Sequence, residues 1–227
     1  MSKRIIFAQK NAMKTFEKWE TEEVERTFGL VYHETLPEMT TWIAFQQDLT
    51  EREKEIIEDL RTEIKYYADF WNEEDIKVFF LMPLINMVRF RETGKYRTFM
   101  EASLKAEVLD AKNNPCLLSG RVEMLVATGK QRPQTPFFFM NEYKPQIKAQ
   151  ADPKGQLLSA MLAAQAKNNG LNLPIYGLYN IGQLVFFVVL VGKTYTTSRA
   201  FDMTDAIDLK CTVNMLQFVK AHIERNL

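Results

Sequence analysis

Pro136-Phe137-Phe138-Phe139-Met140-Asn141-Glu142-Tyr143-Lys144 is the stretch on which the reading of this chain turns. An apolar run that ends in an acid and a lysine one residue apart describes a central strand leaving a hydrophobic core. Side chains alternate across a strand, so Glu142 and Lys144 share one face and Tyr143 takes the other. An acid placed after so apolar a run needs a partner or a cation, because an isolated buried charge is costly. On an exposed strand face the same two residues would be an ordinary ion pair of little consequence.

Outward from this strand, Tyr96 to Val108 and Cys116 to Thr128 have strand character, as does Pro136 to Pro145. The turn-like segments Asp110 to Pro115 and Gly129 to Thr135 separate them. Gln156 to Asn168 is predicted as a helix, with Leu157, Ala160, Met161 and Ala164 on one face and Gly170 as its stop. Its small residues imply close packing on a sheet. Strands Ile175 to Asn180 and Gln183 to Val191 follow, joined by a tight turn at Ile181-Gly182. The second is apolar at nearly every position, as a strand buried on both faces would be. A last helix is expected from Thr204 to Glu224. The order predicts an α/β fold with a mixed central sheet flanked by helices.

The first third reads differently. Helices are expected at Glu22 to Phe28, Thr40 to Gln47 and Thr50 to Trp71. Thr50 and Glu53 form a capping-box pattern, and Ile56, Ile57, Leu60, Ile64 and Tyr67 recur at helical spacing. Asn72 is the expected N-cap of a further helix through Ile76, Phe79 and Phe80, with Pro83 predicting a kink or an early turn near Met82. Residues 1–71 are therefore read as an acidic helical extension and residues 72–227 as the α/β core.

Composition narrows the function. Of 227 residues, 46% are hydrophobic and 26% charged, the balance of a globular protein. Cys116, Cys211, His33 and His222 are too few and too scattered for a structural zinc site, and both thiols are expected to be ordinary buried ones. The start lacks the apolar stretch of a signal peptide, and the longest apolar run, Leu184 to Val191, is far short of a membrane span. A cytoplasmic location is the expectation. The net charge of zero hides a split: residues 1–75 hold 10 Lys and Arg against 18 Asp and Glu, residues 76–227 hold 19 against 11. A basic body attracts a polyanion; an acidic extension is a solvated helical face, a dimerisation element or a cover over a basic cleft.

These elements resemble the core of the PD-(D/E)XK nuclease superfamily, the restriction-endonuclease-like fold, over roughly residues 72–191. Within it they look most like the branch containing the amino-terminal nuclease domains of type I restriction motor subunits and many uncharacterised bacterial proteins. Asn72-Glu73 with the later Pro83 matches the helix that precedes the sheet. Gly120-Arg121-Val122-Glu123 matches the Gly-x-x-acid strand, Glu142-Tyr143-Lys144 the acid-x-Lys strand, and Gln156 the glutamine that opens the next helix. The resemblance implies a Mg²⁺ or Mn²⁺ ion held by Glu123, Glu142 and the backbone carbonyl of Tyr143, with Lys144 aiding an attacking water. Glu73 would hold a metal-bound water, with Glu74 and Asp75 as competitors for that role, and Gln156 would orient Lys144 or the phosphate. Glu123 departs from the usual aspartate by one methylene. The implied substrate is DNA, with RNA as the alternative, and the implied activity is phosphodiester hydrolysis. Lys130, Arg132, Lys148 and Lys154 are candidate backbone contacts or, equally, solubilising loop residues. A nuclease-fold protein that binds nucleic acid or assembles without cutting it is the competing reading, and a homodimer through the N-terminal helices is a further expectation.

Overall fold

The structure is a computed structural model that describes residues 14–144 and 152–227, with Tyr143 and Lys144 described by their backbone alone. Its centre is a mixed sheet whose strands run β1-β7-β6-β5-β4-β3-β2, with β8 pairing to β6. The three strands read outward from Glu142 are long: β2 (Tyr96–Leu109), β3 (Pro115–Thr128) and β4 (Gln134–Lys144). They form an antiparallel meander, and β4 then pairs in parallel with β5 (Ile175–Ile181). A parallel neighbour needs a crossover, which helix α6 (Pro153–Lys167) supplies. Beyond β5 lie β6 (Leu184–Val191), β7 (Thr194–Thr197) and, parallel to β7, the short β1 (Val31–Tyr32). The two-residue strand β8 (Phe201–Asp202) completes the sheet. Strands β1, β7 and β8 were not expected from the sequence.

Helices cover both faces. On one side lie α2 (Pro37–Ala44), α3 (Glu51–Tyr67), α5 (Met82–Val88) and α7 (Ala206–Arg225). Their apolar residues share a core with the sheet that includes Trp42, Leu60, Phe80, Phe138, Phe187 and Leu216. Trp42 is fully buried and its Nε1 donates to the Met215 carbonyl at 2.6 Å, tying the early helices to α7. On the other side α6 packs on the sheet beneath α1 (Thr21–Phe28) and the 3₁₀ turn Phe16–Lys18. Residues 14–71 thus contribute side chains to both cores and a strand to the sheet. Among the described residues no helix is long and apolar enough to cross a membrane. Cys116 and Cys211 are free and half-buried, less enclosed than expected.

Local chemistry accounts for the boundaries. Thr50 and Glu53 make the reciprocal capping box read from the sequence, and Asn72 caps its helix by accepting from Glu74 and Asp75. After the single turn α4 (Glu73–Asp75), residues Ile76–Leu81 adopt a π-helix. The helix runs on through Pro83, which follows the π segment directly in the first turn of α5, so no turn forms near Met82.

Two glycines mark close approaches. A Cβ on Gly120 would stand 2.6 Å from the Phe16 ring, and one on Gly155 would stand 2.5 Å from the Thr21 nitrogen and 2.6 Å from the Trp19 carbonyl. Asp152 locks the second approach: its Oδ1 accepts from Gly155 at 3.0 Å and its Oδ2 from Thr21 at 2.7 Å, so one carboxylate serves the starts of two helices. Gly155→Ala is therefore expected to cost about 1–3 kcal/mol in urea unfolding.

His222 lies edge-on to Tyr176, ring centres 5.1 Å apart, and burial, aided by Arg225, holds its pKa below the ordinary 6.5. The unfolded chain then takes up a proton that the folded chain resists. The contribution is complete above about pH 6.5 and is lost as pH falls below it. His222→Phe should flatten that part of the stability-versus-pH curve relative to wild type, measured by denaturant melts from pH 7.5 to 5.

Candidate functional site

Met124 on β3 is paired with Asn141 on β4, so the next residues, Glu123 and Glu142, occupy neighbouring positions on adjacent strands. Glu142 is 1% exposed. A third acid, Glu101 on β2, stands opposite Glu123, between the pairs Met100–Met124 and Ala102–Val122. Its backbone is left-handed, with φ of +47°, and the strand alternation breaks there. Phe99 and Ala102 on β2, three residues apart, both lie in the core beneath α6, as do Leu125 and Val122 on β3. Both strands change face at the acid pair. Left-handed backbone in a non-glycine residue is strained and is retained where the surroundings demand it.

The π-helical segment delivers the fourth group. Lys77 Nζ lies 3.1 Å from Glu123 Oε2, 3.3 Å from Glu101 Oε1 and 3.4 Å from Glu74 Oε1. Its side chain is 14% exposed and that of Glu123 is 19%, against 70% for Glu74. A π turn re-aims the side chains it carries, and here it brings an ammonium onto two carboxylates of the sheet. Burial raises the pKa of Glu123, and the adjoining Glu101 carboxyl raises it further against the pull of Lys77. Glu101 moves down, first through its hydrogen bond with Glu123 and then through Lys77. The two carboxyls are thus pushed in opposite directions, the more buried Glu123 toward its neutral form and the more exposed Glu101 toward its charged one.

The remaining sequence candidates are distributed unequally. Glu73 is half-buried and its side chain makes no hydrogen bond or ion pair with the described residues; Glu74 is the acid of that turn that joins the cluster. Gln156 is 3% exposed in the first turn of α6, its Oε1 without a hydrogen-bond partner among the described residues. Tyr143 and Lys144 continue the β4–β5 ladder opposite Asn180 and Ile181. Lys148 lies outside the described residues.

Lys130 lines a groove of about 910 Å³ with Arg89, Arg91, Lys95 and Arg97. Arg97 also lines an adjoining groove of about 620 Å³, which holds Arg132, Lys105 and Glu101 itself. Two of the loop cations thus sit on a basic surface that adjoins the acid cluster. Lys154 does not: it lines a separate cavity with Glu20, Glu22, Glu25 and Asp152, surroundings that disfavour a phosphate.

Lys77 and Glu101 were not singled out from the sequence. The interruption of the β2 alternation between Phe99 and Ala102 was the available signal for Glu101, and nothing local marked Lys77 among the many lysines. In chemistry the carboxylates suit a hard divalent cation. In arrangement they close on an ammonium, and no group of three or more acid, histidine or cysteine side chains among the described residues is set to hold a metal.

No family model matches the chain, and no curated protein matches it. Among solved structures, a chain of a DrdV–DNA complex determined by cryo-electron microscopy aligns with a TM-score of 0.39 at 14% identity. The alignment covers 73% of this chain and 14% of that one.

The opposed shifts have a direct readout. In a carbon-detected NMR titration Glu123 should ionise above the ordinary glutamate range, and Glu101→Gln should bring it down. An unchanged Glu123 titration in the variant would show that Glu101 does not act on it.

Proposed function

We propose that this chain is a Mg²⁺- or Mn²⁺-dependent nuclease that hydrolyses phosphodiester bonds of DNA. The observation that carries the reading is that Glu123 and Glu142 stand side by side on adjacent central strands, with Glu101 opposite Glu123 on the next strand. Glu123, Glu142 and the Tyr143 carbonyl are the proposed ligands, with Lys144 and Gln156 acting on the attacking water and the phosphate. A bound divalent ion supplies Lewis acidity and offsets charge on the phosphoryl oxygens. Arg89, Arg91, Arg97 and Lys130 follow the phosphate backbone, which gives affinity without sequence choice. Purified protein with Mg²⁺ or Mn²⁺ should nick plasmid DNA, and Lys144→Ala or Glu123→Gln should lower the rate by at least about 100-fold with the fold intact by circular dichroism. Nicking that survives both substitutions would place the chemistry elsewhere.

The ammonium among the acids favours a second reading, a nuclease-fold module that binds nucleic acid and does not cut it. Calorimetry separates the two: salt-sensitive DNA binding with no divalent-metal binding belongs to the second. A homodimer has a physical basis in the row Tyr67, Trp71 and Phe79, whose rings stack at 5.8 and 6.0 Å beside Phe70, which is 80% exposed. If this row is the interface, light scattering should show a dimer that Phe70→Ser with Phe79→Ser converts to monomer.

A further inference from the structure

The acid cluster and the basic side chain within it pose a question that the nuclease reading leaves open. Glu101 and Glu123 stand opposite each other on β2 and β3 and both reach the same ammonium, and two carboxylates held that close are unfavourable unless positive charge lies between or beside them. Lys77 supplies it, at 3.3 and 3.1 Å. A lysine is suited to a temporary role, because its ammonium is a compact point charge on a flexible four-carbon stem, with none of the fixed fork geometry of arginine. It also has an outward seat: Glu74, one turn back on the same helix and 70% exposed, is already 3.4 Å away. A shift of the ammonium toward Glu74 leaves the two sheet carboxylates facing a vacated position.

We propose that Lys77 is the resident counter-ion of the site, holding Glu101 and Glu123 together until a divalent metal displaces it toward Glu74. The inference rests on the metal-binding part of the proposed function and adds to it that Lys77 sets the affinity of the site for metal. Lys77 acts here through the acids, as a positioning residue. It also explains why the arrangement closes on an ammonium: the acids are kept in ligand positions with no metal bound.

The experiment uses Mn²⁺ alone, with the full chain and no DNA, and reads binding by calorimetry and stability by thermal unfolding. Lys77→Met removes the charge and keeps much of the stem. It should melt below wild type without metal, bind Mn²⁺ about tenfold more tightly, and gain more in melting temperature from Mn²⁺ than wild type does. Lys77→Arg covers the case in which the methionine variant fails to fold. Its permanent charge and bidentate reach should hold the acids more firmly and weaken Mn²⁺ binding about tenfold. Wild type that binds Mn²⁺ no more weakly than Lys77→Met and no more tightly than Lys77→Arg overturns the role of Lys77 and leaves the metal site standing. Absence of Mn²⁺ binding in wild type and both variants overturns the metal site, and the displacement with it.

Discussion

Helix α6 is buried around nearly its whole circumference, from Pro153 to Ala164, with Lys154 the exception in that span. A helix that lies on a sheet with one face usually gives the other to water; this one must be covered on both. That requirement organises the chain. Phe16, Trp19, Val24 and Phe28 form the cover, and Gly120 and Gly155 allow it to approach the sheet and the helix. Asp152 fixes the alignment by capping α6 while holding the start of α1. The acids of α1 face outward because its inner side is committed to α6; Tyr195 donates to Glu25 at 2.5 Å at the margin of the same layer. The acidic character of α1 is thus the solvent side of a structural cover.

The site lies across the sheet at a different kind of constraint. Two departures from regular backbone, the π segment at Ile76–Leu81 and the left-handed Glu101, meet through Lys77. Each is unfavourable alone. Together they bring a helical ammonium and two sheet carboxylates within hydrogen-bonding distance, beside Ala102, Val122 and Met124, which are buried in the core. Long strands anchored on both sides can support such a defect, because thirteen other paired positions of β2 and β3 hold the register around it.

Much of the architecture was legible from local pattern. The boundaries of β2 to β6 and α6 fall within a few residues of those read from periodicity, and the Thr50 and Asn72 caps are made by the side chains that signalled them. The strands that escaped notice, β1, β7 and β8, are two to four residues long and exist through pairing with distant partners, as Val31 does with Thr194. Pro83 was read as a kink or an early turn because proline usually interrupts a helix; the chain stays helical there, with the π segment directly ahead of it. The candidate site divides in the same way. Glu123 and Glu142 stand out in the sequence because each follows a strand pattern. Lys77 and Glu101 act through geometry created only when the helix docks on β2 and β3.

The π segment also constrains what changes of length the chain can absorb. An α-helix advances about 100° per residue, so removing one residue from Ile76–Leu81 and rewinding it as α would rotate everything on one side of the cut by that angle. Either the Asn72 cap or the buried face of Leu84, Ile85 and Val88 would then point the wrong way. Substitutions in this segment test single contacts, whereas a one-residue deletion tests the phase between a capped surface turn and the core. The spare residue in the helix is therefore a structural element in its own right, encoded by the length of the segment.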